Sequence, residues 1–407
     1  MRWIPFIIFI IIVQWYAFQA IKTITQNKFW WAIYALVVGI ILGGVLWQTL
    51  NFDRTVGWIP IVAYSLGMFV ALLSGQLLMI CLLFLEDLSR GASSLLHFFT
   101  SDQKIHFPQR RKFVSQIAIA LGAIPFSSLL YGMYKGRYNY RVLNYTLEYE
   151  NLPDGFDGFQ ITQISDLHCG SFDNTKKVAY GLDLIDKQKS DLVLFTGDMV
   201  NNKANEARPW VEFIAKIKAP YGKFSVLGNH DYGDYSDWEN EAHKKQNMEE
   251  MYQIHQDMGF DLLLNESRYI EKNGDRIALV GVENWGAGRF KKAGDLEKSI
   301  AQIQSEDFKI LLSHDPSHWE AEVLPHPHPF HLTLSGHTHG FQFGIEIPGW
   351  IKWSPIQWQY KQWAGIYEEK EQKLNVNRGF GYLAYPGRVG IWPEITVITL
   401  KKRNLLI

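Results

Sequence analysis

Five short segments of this 407-residue chain combine acidic, amide and imidazole side chains that could hold metal ions. Each directly follows a run of apolar and β-branched residues; the segments are residues 165–168, 196–198, 228–231, 313–316 and 335–340. Several contain a glycine, which allows close approach of the backbone. Carboxylate, amide and imidazole ligands without a thiolate suit Mn, Fe, Zn or similar divalent ions. The residue types therefore indicate metal-assisted chemistry.

The positions of these segments predict that they meet in one cleft. Ligands of open α/β sheets bind outside the carboxyl ends of the strands, and each segment follows a predicted strand. Taken singly, a Gly-Asp or Asn-His pair is better explained as a turn that satisfies backbone groups. Five such segments in succession favour a shared site with seven nitrogen and oxygen ligands.

The elements that must position these residues form an α/β domain at residues 154–407, preceded by a linker with a short strand at residues 137–153. The strands are rich in Val, Ile, Leu and Phe, as expected for strands buried on both faces. They are predicted at residues 159–164, 192–195, 224–227, 277–280, 310–312, 331–334 and 395–400. Helices are predicted between them, at residues 176–188, 207–216, 242–258 and 295–304.

The first third of the chain, residues 1–136, has the composition of a membrane region. Four uncharged stretches reach the roughly 17–25 residues that a spanning helix needs; they are residues 3–21, 29–52, 55–85 and 113–134. A cleaved signal peptide is the alternative for the first stretch, but the bulky residues 14–18 make a poor cleavage site. A transporter is the alternative for the whole region. The stretches lack the intramembrane ionisable residues that mark ion pathways, so an anchor is preferred.

Charge predicts the topology and restricts the partners. The loops after the first and third stretches hold seven Lys and Arg, against five on the other side. The positive-inside rule then places those loops in the cytoplasm, and the catalytic domain of this multi-pass cell-membrane protein outside it. A formal net charge of −1 does not favour a nucleic acid partner. Two cysteines are too few for a disulfide scaffold.

The five segments also resemble the motif blocks of the calcineurin-like metallophosphoesterases. In family order they are Asp166-x-His168, Gly197-Asp198, Gly228-Asn229-His230-Asp231, His314 and Gly336-His337-x-His339. Residues 377–381 and 393–396 are similar to the closing segment of a membrane-anchored bacterial branch. That branch includes YkuE-like and YaeI-like phosphoesterases and UDP-diacylglucosamine hydrolases. The resemblance implies a four-layer α/β/β/α sandwich. Two departures from the pattern, Cys169 and Phe341, flank the cleft and bear on the shape of the substrate site.

The resemblance further implies a role for each residue. Asp166, His168, Asp198 and His339 would bind the first ion, and Asp198, Asn229, His314 and His337 would bind the second. Asp198 would bridge two ions roughly 3.5–4 Å apart, which would lower the pKa of a shared water and supply hydroxide. His230, oriented by Asp231, would donate a proton to the leaving-group oxygen.

The resulting hypothesis is a membrane-anchored phosphoesterase that needs two divalent metal ions. Only about residues 135–153 separate the last stretch from the first catalytic strand, which keeps the domain close to the bilayer. We therefore expect a phosphodiester or pyrophosphate substrate that is a lipid or is lipid-linked. The alternative is a catalytically silent membrane sensor or assembly protein that retains the fold. Such a protein is expected to lack ligands, and all seven are present.

Four further features each have two interpretations. Cys169 is a packing residue or a redox group. The histidines at residues 326, 328 and 331 lie in a proline-stiffened surface loop or bind metal. Arg378 and Arg388 form ion pairs or contact phosphate. The aromatic stretch at residues 350–367 meets lipid headgroups or covers a sheet edge.

Overall fold

A computed structural model describes residues 3–57, 59–100 and 108–403. The chain divides into two compact units. The first contains residues 1–52 and 61–133, and the second contains residues 53–60 and 134–407.

The first unit consists of four long apolar helices at the predicted spans. They are α1 (Ile4–Ile24), α2 (Lys28–Leu50), α3 (Pro60–Thr100) and α4 (Pro108–Tyr134). All four are long and apolar enough to cross a membrane, and most of their apolar side chains point outward. The third helix begins five residues later than predicted, because proline at a first helical position favours a start there.

Small and polar side chains hold these helices together. A Cβ atom added to Gly75 or to Gly122 would lie 2.6 Å from the other glycine's carbonyl oxygen, so α3 and α4 meet backbone to backbone. Gln76 Nε2 donates hydrogen bonds to Gln14 and Tyr34 within the apolar region. Close glycine contacts and interhelical hydrogen bonds are the usual means of association where lipid removes the hydrophobic driving force.

The second unit is an α/β sandwich. Its strands are β1 (Arg141–Tyr149), β2 (Gln160–Ile164), β3 (Leu192–Phe195), β4 (Lys223–Ser225), β5 (Asp261–Leu262), β6 (Glu266–Lys272), β7 (Asp275–Gly281), β8 (Lys309–Leu312), β9 (Leu332–Ser335), β10 (Ile345–Ile347), β11 (Ile351–Trp353), β12 (Gly365–Glu369), β13 (Gln372–Val376) and β14 (Glu394–Lys402). Its helices are α5 (Thr175–Asp186), α6 (Val211–Ala215), α7 (Glu241–Asp257) and α8 (Leu296–Ile300).

Two six-stranded sheets form the inner layers. Their strand orders are β1-β14-β2-β3-β4-β5 and β12-β13-β9-β8-β7-β6. Apolar side chains of both sheets, such as Ile161 and Leu194 from one and Leu279 and Leu312 from the other, form a shared core. Helices α5, α6 and α7 cover the outer face of the first sheet, and α8 covers that of the second. This is the predicted four-layer α/β/β/α arrangement.

The segment predicted as a linker, residues 137–153, lies within this unit. Strand β1 pairs in parallel along its whole length with β14, from Arg141 opposite Glu394 to Tyr149 opposite Lys402. An edge strand keeps one side in solvent and carries charges, so its apolar signal is weak. Only residues 135–140 therefore separate α4 from the first strand of the sheet.

Candidate metal centre

The seven predicted ligands all follow the carboxyl ends of central strands. Asp166 and His168 follow β2, Asp198 follows β3, Asn229 follows β4, His314 follows β8, and His337 and His339 follow β9. Strands β2, β3 and β4 run parallel to one another, and so do β8 and β9. Their ends therefore bring the ligands to one edge of the sandwich.

The backbone at these strand ends is unusual. Five of the seven predicted ligands have a positive φ, which is rare for residues other than glycine; the values are 52° for Asp166, 47° for His168, 61° for Asp198, 70° for His337 and 50° for His339. Such conformations cost about 1–3 kcal/mol each and cluster at functional sites. This strain indicates that the backbone positions the five side chains for a functional site.

Two glycines allow the loops to approach closely. A Cβ atom on Gly336 would lie 1.9 Å from Ser165 Oγ and 2.3 Å from Asp166 Oδ2. A Cβ atom on Gly228 would lie 2.2 Å from Asp198 Oδ1. Neither position leaves room for a side chain, so each glycine lets a neighbouring loop carry its ligand into the cleft.

The ligand atoms form two clusters. Asp166, His168 and His339 make the first, in which the Nε2 atoms of the two histidines lie 3.0 Å apart. Asp198, His314 and His337 make the second, in which His314 Nε2 lies 3.3 Å from His337 Nδ1. Within each cluster the ligand atoms lie within 4.8 Å of one another. Nitrogen and carboxylate atoms at this spacing can share one divalent ion.

Asp198 connects the two clusters. Its Oδ2 atom lies 3.2 Å from His314 Nε2 in the second cluster and 3.6 Å from His168 Nε2 in the first. The other oxygen, Oδ1, accepts a hydrogen bond from the backbone N–H of His230 at 2.9 Å, which fixes the carboxylate plane. A carboxylate in this position can be shared by two ions.

The chemistry of the donors fits metal ions. His168 Nδ1–H donates to the carbonyl of Val200 and His314 Nδ1–H to that of Thr196, so each ring turns its Nε2 atom toward the clusters as the nitrogen that would bind metal. Asn229 donates from Nδ2 to Tyr235 Oη, while its buried Oδ1 has no hydrogen-bond partner among the described residues. Buried polar atoms are rarely left unpaired. A divalent ion would satisfy that oxygen.

Burial and charge shape the protonation of the metal-free site. Burial disfavours a charged imidazole, but the nearby Asp198 carboxylate overcomes this effect and raises the pKa of His314 to about 10. Burial would also raise the pKa of Asp198, but the positive charge of His314 holds it well below its usual range. Burial, assisted by the neighbouring His339 and His230, holds the pKa of His168 well below its usual value. A metal ion would take the place of the proton on His314.

His230 is the predicted proton donor, and the structure holds it beside the two clusters. Its ring meets the His168 ring edge to face at a centroid distance of 4.9 Å and is only half-buried. Nδ1–H donates to the backbone carbonyl of Asn201 at 2.7 Å, which leaves Nε2 available for proton transfer. The sequence did not indicate Asn201, because any residue type can supply a carbonyl.

Asp231 has different partners from those predicted. Its carboxylate accepts hydrogen bonds from the backbone N–H groups of Asp198, Met199, Val200 and Gly228, and no hydrogen bond to His230 is seen among these described residues. Burial, reinforced by the charge of Asp198, raises the pKa of Asp231 to about 7. Asp231 therefore ties together the loops after β3 and β4, and the carbonyl of Asn201 takes the orienting role that the sequence assigned to Asp231.

Tyr360 and Asp315 support the second cluster and were not predicted. His337 Nε2–H donates to Tyr360 Oη at 2.9 Å, and the Tyr360 hydroxyl lies 3.4 Å from its acceptor, Asp315 Oδ2. These two hydrogen bonds fix the tautomer of His337, so that its unprotonated Nδ1 faces His314. Hydrogen bonds of this type orient a ligand and increase its basicity. Tyr360 lies 23 residues after His337, so sequence spacing gave no signal.

Replacement of Tyr360 by phenylalanine tests this support. We expect Tyr360→Phe to weaken metal binding at the second cluster by about 10–100-fold, the usual cost of losing such a partner. Calorimetric titration with Mn²⁺ would measure the change, with Tyr180→Phe on the exposed face of α5 as the matched control. Equal Mn²⁺ affinity in both variants would contradict the role of Tyr360.

The four ambiguous features are resolved in part. Cys169 is buried, and burial raises the pKa of its thiol well above the usual value, which favours packing over redox chemistry. Arg378 forms ion pairs with Glu346 and Glu394. Arg388 is buried and donates to the carbonyl of Gly381 and to Nδ1 of His339.

The histidines at residues 326–331 lie outside the two clusters. His326 contacts His328 and Glu297 at the surface, and His331 accepts a hydrogen bond from the backbone N–H of Lys309. The aromatic stretch at residues 350–367 is divided. Tyr360 and Trp363 are buried, whereas Trp350 and Trp358 are exposed.

Comparison with known proteins agrees with this geometry. Residues 1–137 match the transmembrane domain of calcineurin-like phosphoesterases, and residues 159–341 match the calcineurin-like phosphoesterase family. Metallophosphoesterase YkuE of Bacillus subtilis (strain 168) is 30% identical over 72% of this chain and 98% of that protein. A transmembrane protein with a metallophosphoesterase domain from Danio rerio is 26% identical over 92% of this chain and 81% of that protein.

These matches cover both the helical unit and the strand ends that carry the two clusters. The chain therefore belongs to the calcineurin-like metallophosphoesterases, and it joins that catalytic domain to a four-helix transmembrane domain.

Proposed function

We propose that this protein is a membrane-anchored hydrolase of phosphate esters that uses two divalent metal ions, with Mn, Fe or Zn as the suitable elements. The observation that carries the proposal is the position of Asp198 Oδ2, within 3.6 Å of a histidine from each cluster. Because all seven ligands are present around it, a catalytically silent protein is disfavoured. The predicted assignment of the ligands to the two ions is kept.

Different residues of this protein have different roles in hydrolysis. When bound, the ions would lower the pKa of a water and neutralise charge on the phosphate. Asp198 holds the two sites together, and the unpaired oxygen of Asn229 completes the second. His230 donates the proton on Nε2 to the leaving-group oxygen as the ester P–O bond breaks and water adds to phosphorus. The carbonyl of Asn201 keeps the ring in the orientation that this transfer requires.

We further propose that the substrate is a phosphodiester or pyrophosphate of a lipid or a lipid-linked compound. The support is the short connection between the membrane region and the catalytic unit. Residues 135–140 form it, and six residues span at most about 20 Å when fully extended. A catalytic domain with such a connection stays near the lipid headgroups. An enzyme that acts on a soluble substrate does not need this position, whereas an enzyme that acts on a lipid does.

The loop charges support a catalytic domain outside the cytoplasm, because cations are more numerous in the loops after α1 and α3. Membrane vesicles of known orientation can identify the side. Right-side-out vesicles should hydrolyse an impermeant diester added to the medium, and hydrolysis by inside-out vesicles alone would reverse the assignment.

A comparison of two substrates with one headgroup tests the lipid proposal. For a phosphodiester, full-length protein with Mn²⁺ should hydrolyse dioleoyl phosphatidylglycerol in vesicles with a higher kcat/KM than the monomeric dibutyryl analogue. For a pyrophosphate, it should hydrolyse a long-chain prenyl pyrophosphate with a higher kcat/KM than a short-chain one. One of the two preferences is expected. Asp198→Asn protein supplies the background. Equal or better turnover of the short-chain compounds in both series would contradict a lipid substrate while leaving the hydrolase assignment intact.

A further inference from the structure

The catalytic unit exposes one concentrated apolar surface. Among residues 135–403, every exposed large hydrophobic side chain other than tyrosine lies between residues 341 and 358. Trp350 is 81% exposed and Trp358 is 78% exposed. We call this set the hairpin surface; it consists of Phe341, Ile345, Ile347, Trp350, Ile351 and Trp358. Contiguous apolar exposure on this scale marks an interaction site.

The hairpin surface has the reverse of the usual alternation. Strands β10 and β11 pair Ile345 with Trp353 and Ile347 with Ile351 on one face, and Glu346 with Lys352 on the other. Sheets that cover a core normally turn the apolar face inward. Here the polar face holds the hairpin to the domain, because Glu346 forms an ion pair with Arg378 at 2.6 Å and Lys352 donates to the carbonyl of Ala364.

Phe341 strengthens this interpretation. Its φ is +58°, a left-handed conformation that is sterically costly for a residue with a Cβ atom. Its ring is nevertheless exposed to solvent rather than packed against the domain. A large apolar ring held outward by a strained backbone indicates that the exposure has a function.

The base of the hairpin surface is joined to the metal centre. Ser354 Oγ–H donates to the carbonyl of Gly340 at 2.8 Å, directly after the ligand His339. Tyr360, two residues after Trp358, accepts from the ligand His337. Any surface to which the hairpin binds would therefore lie close to the metal clusters.

We propose that the hairpin surface docks on the lipid bilayer and inserts its tryptophans at the headgroup level. The bilayer is the occupant because the same chain carries four helices able to span it, and the short segment of residues 135–140 joins the last of them to strand β1. Tryptophan and isoleucine with no charge on the outward face are typical of shallow insertion. The proposal deepens the function proposed above but does not depend on the identity of the substrate.

Depth-dependent quenching tests the docking. Trp350→Cys and Trp358→Cys would each be labelled with an NBD fluorophore in full-length protein that carries Cys81→Ala, since Cys169 is buried. The protein is reconstituted in phosphatidylcholine vesicles with lipids spin-labelled near the headgroup. A label at Glu369→Cys, at the exposed end of β12 on the opposite side of the sheet from the metal clusters, is the control. Metal content equal to that of the parent verifies folding.

We expect strong quenching at positions 350 and 358 and little at position 369. Quenching at positions 350 and 358 that does not exceed the control would overturn the proposal. NBD fluorescence at the two positions that changes with the number of protein molecules per vesicle, and not with the spin-labelled lipids, would also overturn it. That result would indicate that a second copy of the chain covers the hairpin surface. No turnover is measured, so failure here is distinguishable from failure of the proposed function.

Discussion

Asp198→Asn should abolish hydrolysis and lower metal content at the same time. The amide that replaces the carboxylate carries no negative charge, and only its oxygen has a lone pair that can bind a metal. Because the carboxylate lies beside histidines of both clusters, both sites lose a ligand. We expect activity to fall more than about 100-fold, beyond the 10–100-fold cost of losing one supporting partner.

The matched control for this variant is Asp183→Asn, at an exposed acid on α5. Metal analysis and hydrolysis of a chromogenic diester would be measured on both full-length proteins. Two equivalents of metal and normal turnover in Asp198→Asn would refute the bridging role. Equal losses in both variants would show a general defect in folding.

His230→Ala should separate catalysis from metal binding. The ring is not a member of either cluster, so metal content should remain at two equivalents. The rate should fall by about 10²–10⁴-fold, the usual range for the loss of a general acid. The loss should be smaller for a nitrophenolate leaving group than for an alkoxide, since a stable leaving group needs no proton.

His243→Ala provides the control, because His243 lies exposed on α7 and outside the clusters. Rates of both variants with a nitrophenyl ester and an alkyl ester measure the dependence on the leaving group. An identical loss in His230→Ala for both esters would remove His230 from the acid role and leave it a structural one.

The place of the metal centre could be predicted because one physical rule covers all five polar segments. Buried parallel strands have a strong apolar signal, and the polar residue that ends each one must lie at the same edge of the sheet. The rule located the segments that contain Asp166, Asp198 and His314 without knowledge of any contact, and the family resemblance then selected the ligands within them. The four apolar helices were likewise evident from composition, although the start of α3 was set by Pro60.

The supporting contacts could not be predicted, because they depend on the folded backbone. Asn201 acts through its carbonyl, and Tyr360 reaches His337 only after the chain has passed through the hairpin of β10 and β11. The family resemblance assigned Asp231 to orient His230. In the fold its carboxylate instead satisfies backbone N–H groups of two loops. Strand β1 was missed as part of the sheet because an edge strand is only half-buried.

Titration of metal-free full-length protein with Mn²⁺, followed by hydrolysis of a chromogenic phosphodiester, tests the central claim most directly. The two clusters around Asp198 predict no hydrolysis without metal and a maximal rate when two ions are bound per chain. Hydrolysis that persists in excess chelator, or no hydrolysis of any phosphate ester with two ions bound, would contradict a metal-dependent phosphoesterase.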